Sequence, residues 1–306
     1  MKIVFLEPLG LSVERIENEC NVLKTLGHEV IVYSDRCPDK NIERASDADI
    51  VVESNMPLRK DFFDACPNLK MLSIAFTGLD HIDLQECEKR GIVVNNAAGY
   101  STEAVAEETI CMMIGLYRNI IENDKITRSC SGMAIAPGRE IANKTIGIVG
   151  LGAIGQRTAK LAQAFGCKVI AWNRTPKIVD GVTLVDKETL LKESDIITLH
   201  IALNDETRNF ISAKEIELMK PSAVIINAAR GPIINTKDLA NALKNGQISG
   251  AALDVFDTEP PLDKNNPLLN LPNTILMPHV GFATKEAFEQ RLEIVIKNVE
   301  RFVNKA

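Results

Sequence analysis

The chain has 306 residues, 45% hydrophobic and 25% charged, with 35 basic against 41 acidic side chains and a net charge of −6. At roughly 100–200 residues per domain this composition predicts two globular domains. It excludes a disordered chain, a coiled coil and, with no Lys/Arg run, a basic nucleic-acid surface. The run Lys2–Leu6 is closed by Glu7 and Pro8, too short for a secretory signal. No stretch approaches the roughly 18 apolar residues of a membrane span. Seven scattered cysteines, an odd count with no C-x-x-C, predict reduced thiols and a cytoplasmic protein. Four histidines without an H-x-x-x-H predict no metal site.

In chain order, Lys2–Leu6 predicts a strand. Ser12 is placed to cap a helix running to Leu26, with Gly27 at the position after its end. Glu29–Tyr33, Asp49–Glu53, Lys70–Ala75 and Gly91–Asn95 predict further strands, each bounded by Pro, Gly or Asn. Ser101–Ile121 predicts one long helix, apolar nearly all round and therefore buried, with Ile120 among its apolar residues. A small irregular loop, Ser129–Gly138, separates it from a second α/β block. There Thr145–Val149, Lys168–Trp172, Ile196–Ile201, Val224–Asn227, Ala251–Phe256 and Thr274–Met277 predict strands. Helices are expected at Gln156–Phe165 and Lys237–Asn245, and Ser212-Ala-Lys-Glu215 reads as a capping box. Lys285–Val303 closes the chain as an amphipathic helix. This alternation predicts parallel sheets flanked by helices, α/β in class.

Gly150-Leu151-Gly152-Ala153-Ile154-Gly155 is a G-x-G-x-x-G between a predicted strand and helix, the context in which it binds a dinucleotide. Gly150 permits the tight turn, Gly152 lets backbone approach a pyrophosphate, and Gly155 lets helix and strand pack closely. The helix N-terminus offers free N–H groups to phosphate. An Asp or Glu roughly 20 residues on normally binds the ribose 2′-OH of NAD. Here that place holds Asn173, followed by Arg174, Thr175, Pro176 and Lys177. Two cations and a hydroxyl suit a 2′-phosphate, so NADP(H) is favoured and NAD(H) is the alternative.

In an open α/β sheet, ligands lie beyond the carboxyl ends of the strands. That selects Arg230, in Asn227-Ala-Ala-Arg-Gly231; Asp254, within its strand; Glu259; and His279, in Pro278-His-Val-Gly281. A carbonyl that accepts hydride needs a proton, which histidine supplies near neutral pH. Glu259 beside it would steady the imidazolium. The Arg230 guanidinium would grip a carboxylate and polarise the neighbouring oxygen.

With the glycine loop, the motifs Asn-Ala-Ala-Arg-Gly (227–231), Ala-Leu-Asp-Val-Phe (252–256), Thr-Glu-Pro-Pro (258–261) and Pro-His-Val-Gly (278–281) resemble those of the D-isomer-specific 2-hydroxyacid dehydrogenases. The resemblance implies two Rossmann-like domains with a cofactor cleft between them. The substrate domain would be flavodoxin-like and span residues 1–98 plus 282–306; the dinucleotide-binding domain would span 99–281. It implies hydride transfer between NAD(P)H and a 2-oxoacid such as glyoxylate or hydroxypyruvate, giving the D-2-hydroxyacid. Arg230, Glu259 and His279 would be catalytic. Thr77 and Gly78, in Ala75–Asp83, would take the substrate carboxylate through backbone N–H groups, with Asn55, Met56 and Phe76 shaping the pocket. His81 would be structural. Thr102, Ala153, Ile154, His200, Ile201, Ala202, Ala228, Ala229, Asp254 and Gly281 would join the glycines, Asn173, Arg174, Thr175 and Lys177 around the cofactor, as would Arg230 and His279. A homodimer is implied, with no nucleic-acid or membrane partner. The alternatives are a phosphite-type dehydrogenase on this scaffold and a non-enzymatic, dinucleotide-sensing corepressor-like module.

Overall fold

The computed structural model describes residues 1–130, 137–259 and 262–305. The chain divides into two compact units, one of residues 1–101 and 283–306, the other of residues 102–282. Residues 131–136 of the loop expected at Ser129–Gly138, and Pro260 and Pro261 of the Thr-Glu-Pro-Pro motif, lie outside the described residues.

The first unit is built on five strands, β1 (Lys2–Phe5), β2 (Glu29–Val32), β3 (Ile50–Glu53), β4 (Met71–Ile74) and β5 (Val93–Asn96). They form one parallel sheet in the order β2-β1-β3-β4-β5. The central β3 and β4 are buried along their whole length and apolar but for Glu53 and Ser73; the edge strands β2 and β5 are partly exposed. Between the strands run α1 (Val13–Glu19), α2 (Asn21–Thr25), α3 (Asn41–Ala45), α4 (Lys60–Ala65) and α5 (Leu84–Lys89). Ser12 caps α1 by accepting the Arg15 N–H, and Gly27 follows α2 at φ +82°. The single helix expected here is interrupted at Cys20. Its ψ of −4° is far from the helical value near −42°, which opens the turn.

The second unit opens with α6 (Thr102–Tyr117) and α7 (Ile120–Arg128). The expected single helix over Ser101–Ile121 is therefore two. Asn119 takes the left-handed conformation, φ 49° and ψ 42°, which Asn tolerates better than most side chains. The break also overturns the expected burial of Ile120, which is 51% exposed. Then come β6 (Thr145–Val149), α8 (Ala153–Ala164), β7 (Lys168–Trp172), β8 (Val182–Leu184), α9 (Lys187–Glu193), β9 (Ile196–Leu199), α10 (Ala213–Glu217), β10 (Val224–Asn227), α11 (Thr236–Lys244), β11 (Gly250–Leu253) and β12 (Thr274–Leu276). The strands form a parallel sheet in the order β12-β11-β10-β9-β6-β7-β8. The chain ends with α12 (Lys285–Val303), which packs on β4 in the first unit.

The seven-stranded sheet is covered on both faces because successive side chains of a strand point to opposite sides. Ile225 packs with Leu190, Leu191, Ile216 and Leu239 from α9, α10 and α11. Its neighbours Val224 and Ile226 pack with Met112, Met113, Tyr117, Ala159 and Ala162 from α6 and α8. Parallel strands place all their carboxyl ends at one edge, so the loops after β6, β10, β11 and β12 meet there.

The strand-to-helix turn is tight at Gly155, where a Cβ would stand 2.0 Å from the carbonyl oxygen of Gly150. Gly155→Ala is expected to lower the stability of the chain by about 2–3 kcal/mol. Urea denaturation followed by circular dichroism measures this; an unchanged midpoint would show that the strand-to-helix turn relaxes freely.

Candidate active site

At the glycine loop, Gly150 stands at φ +99°, where an added Cβ would lie 2.5 Å from the His200 carbonyl oxygen. Gly152, the residue capping α8, has open space around its Cα and makes no side-chain cap. The helix thus begins inside the motif, at Ala153 rather than Gln156, because Gly152 supplies the extended cap residue. Its first N–H groups face an open cradle. Gly152 and Ala153 are exposed, Ile154 is half-buried and Gly155 is buried. These features fit the pyrophosphate of a dinucleotide, negative charge against a helix N-terminus.

Beside the loop lies a cavity of about 300 Å³ lined by Gly150, Gly152, Asn173, Arg174, Thr175, His200, Ile201 and Ala202, with Trp172, Asn204, Glu206, Thr207 and Phe210. Asn173 holds the loop together, accepting the Leu151 N–H at 2.8 Å and donating to the Thr175 carbonyl at 2.6 Å. Arg174 is 79% exposed and only loosely paired, 3.6 Å from an equally exposed Glu206. Lys177 Nζ lies 3.4 Å from the Leu151 carbonyl oxygen. His200 is 3.0 Å from the Thr198 hydroxyl, and burial lowers its imidazole to about 4.

The sequence-selected residues converge at the carboxyl edge. Arg230 follows β10 by three residues, in a loop braced by Asn227: its amide donates to the Arg230 carbonyl at 2.8 Å and its carbonyl accepts the Ala229 N–H at 3.0 Å. Ala228, Ala229 and Arg230 are all half-buried. Gly231 sits directly against the next loop, since a Cβ there would be 2.0 Å from the Phe256 carbonyl carbon. Asp254 lies just past the end of β11, not within the strand as expected. Its backbone N–H still bonds the Asn227 carbonyl, but its side chain turns to the following loop. Its two oxygens accept the Val280 and Gly281 N–H groups, each at 2.8 Å.

Between these anchors His279 is held in a left-handed conformation, φ 56°, unusual for a side chain with a Cβ. Its Nδ1 donates to Glu259 Oε2, because an ionised carboxylate can only accept. The other Glu259 oxygen accepts the Phe256 N–H. The bond to Glu259 thus engages Nδ1 and sets the orientation of the ring. Phe282 stands edge-on to the ring at 5.8 Å.

In the first unit, Thr77 and Gly78 follow β4 in a loop fastened from two sides. The Asn96 amide donates to the Thr77 carbonyl at 2.7 Å, and Arg291 donates to the Ala75 carbonyl at 3.3 Å. Among the described residues, the Thr77 and Gly78 N–H groups donate to no backbone acceptor. His81 Nε2 lies 2.9 Å from the fully buried Glu53, a structural pairing. Asn55 accepts from Arg36 at 3.1 Å. Phe76 and Met56 are 5% and 0% exposed, Phe76 packing against Tyr100 and His81. Thr102 is the first residue of α6, in the second unit.

One site residue escaped the sequence reading. Glu108, on α6, presses its Oε2 against Gly281, where a Cβ would lie 2.2 Å away. Its spacing carried a signal: Ala104 and Met112, one turn to either side, are both buried, so Glu108 lies on the apolar stripe.

Residues 110–281 match the family model described as D-isomer specific 2-hydroxyacid dehydrogenase, NAD binding domain. A glyoxylate reductase of Thermococcus litoralis is 43% identical over 255 residues, 79% of this chain and 76% of its own length. A glycerate dehydrogenase of Methylorubrum extorquens is 38% identical over 99% of this chain and 96% of its own. Among solved structures, an acyclic imino acid reductase in complex with NADPH and D-Arg is 33% identical, with a TM-score of 0.90 over 100% of this chain and 98% of its own.

The half-buried His200 ring, desolvated at the cavity wall, is expected to stay neutral until the pH falls to about 4. A proton NMR titration assigned with His200→Gln checks this, and a midpoint at the ordinary histidine value would contradict the burial.

Proposed function

Because the chain belongs to the D-isomer-specific 2-hydroxyacid dehydrogenases, we propose that it reduces a small 2-oxoacid, of the glyoxylate or hydroxypyruvate type, to the D-2-hydroxyacid with NADPH as the favoured cofactor. The chain is an oxidoreductase that uses a nicotinamide cofactor. The observation that carries the site assignment is the fixed pair of His279 and Glu259 at the same sheet edge as the glycine cradle. A bound nicotinamide would supply the hydride. Gly150, Gly152 and the first turn of α8 would hold its pyrophosphate, and Asp254 its carboxamide.

The roles of the side chains follow from their chemistry. Arg230 binds the oxoacid through charge-assisted hydrogen bonds and polarises the carbonyl, so negative charge can grow on its oxygen. His279 delivers a proton from Nε2 to that oxygen and takes it back in the reverse direction. Glu259 fixes the tautomer and orientation of the ring. The Thr77 and Gly78 N–H groups of the first unit take the substrate carboxylate. A homodimer in the cytoplasm belongs to the same proposal.

The preference for NADPH rests on Asn173, which replaces the carboxylate that would repel a 2′-phosphate, and on the loosely held Arg174 beside it. Arg174→Ala is expected to raise the KM for NADPH about tenfold and leave that for NADH nearly unchanged. Initial rates with both cofactors against a 2-oxoacid panel test this. A clear preference of the unaltered enzyme for NADH would overturn the phosphate assignment.

Arg230→Lys keeps the charge but loses the two-pronged geometry. It is expected to cut kcat/KM for the oxoacid at least a hundredfold, by roughly 3 kcal/mol. A change confined to the cofactor KM would remove Arg230 from the substrate.

A further inference from the structure

Glu108 has no place in the chemistry above, yet it lies against the residues proposed to hold the nicotinamide. It reaches Gly281 from α6 and meets the Asp254 carboxyl group there: its Oε2 and the Asp254 Oδ2 lie 2.2 and 3.0 Å from the point that a Cβ on Gly281 would occupy. Its Oε2 is sealed from solvent and finds no donor among the described residues. The cation on the facing helix α8, Arg157, is held instead by Glu103 at 2.6 Å, and Lys160 on α8 is exposed. The other titratable groups facing Asp254 are His279 and Glu259. Two carboxyl groups packed together away from water cannot both be ionised without a cation between them. Of the two, Asp254 has the donors, the Val280 and Gly281 N–H groups at 2.8 Å each. The charge therefore belongs on Asp254 and the proton on Glu108.

We propose that Glu108 is a positioning residue of the cofactor site, a neutral carboxylic acid that donates its proton to Asp254 so that the pair carries a single negative charge. Burial, and then the Asp254 charge, raise the Glu108 carboxyl to about 8. Near neutrality the pair thus presents one charge; above pH 8 it presents two. The oxidised nicotinamide ring is cationic and the reduced ring is neutral. A second negative charge at this pair would favour the oxidised cofactor, so Glu108 sets how the balance between the two forms on the enzyme responds to pH. This tuning rests on the proposal that Asp254 holds the nicotinamide; the shared proton does not.

Two measurements separate these parts. Infrared difference spectra of the ligand-free protein, taken well below and well above pH 8, are expected to show a protonated-carboxyl stretch that titrates in the unaltered chain and is absent in Glu108→Gln. No such band in the unaltered chain would overturn the proposal. Fluorescence titrations with oxidised and reduced cofactor then read the tuning. The ratio of their dissociation constants is expected to move roughly tenfold toward the oxidised form across pH 8, and to stay flat in Glu108→Gln. Glu108→Leu, which fills the site with no donor, is expected to be equally flat. A titrating band with the same pH response of that ratio in all three proteins would overturn the tuning role and the nicotinamide assignment of Asp254, leaving the proton in place.

The same proton sets a stability trend. Glu108 keeps its proton in the folded chain up to about pH 8 but loses it near 4.5 when unfolded. The folded state then binds more protons in that window, so its stability falls as pH rises from 4.5 toward 8. Glu108→Gln is expected to flatten this decline in urea titrations; an equal slope in both proteins would contradict it.

Discussion

One buried carboxylate, Asp254, takes the backbone N–H groups of both Val280 and Gly281, and the geometry of the candidate site depends on that grip. It pins the chain immediately after His279, whose left-handed backbone would otherwise relax. With the backbone fixed there, Glu259 can reach Nδ1 from the neighbouring loop while its other oxygen is tied to the Phe256 N–H. Gly231 brings the Arg230 loop into direct contact with that same neighbouring loop, a contact no other residue type would allow. The geometry around His279 is thus built from carboxylate side chains that hold backbone N–H groups in the loops after β11 and β12.

Much of this was legible in the sequence, for physical reasons. Strands buried on both faces read as mostly apolar runs without alternation, so β6, β9 and β10 are visible from the sequence, each with one polar residue. The glycine loop is legible because each glycine answers a steric demand: Gly150 its positive φ and Gly155 its contact with the Gly150 carbonyl. The Ser212–Glu215 capping box formed as expected around α10. Arg230, Glu259 and His279 follow from strand order, since all the carboxyl ends share one edge.

What escaped depends on contacts distant in sequence. The three-residue edge strand β8 is too short to show a period. The break at Asn119 is a single left-handed residue between Arg118 and Ile120, with no Pro or Gly to mark it. Asp254 continues the pattern of β11, and only its side-chain bonds to residues 280 and 281 carry it out of the strand. Glu108 shows the same limit. Helical spacing places an acid on a buried stripe, but its partner, Asp254, lies 146 residues away in the chain.

The most direct test of the whole arrangement is proton delivery by His279. Steady-state reduction of glyoxylate and hydroxypyruvate with NADPH should be compared between the unaltered chain and His279→Gln, with cofactor binding followed separately by fluorescence. A fall in kcat of about a hundredfold or more, with cofactor affinity changed far less, is the predicted result. A kcat preserved within a few-fold would contradict it and detach the chemistry from the pair that Asp254 holds in place.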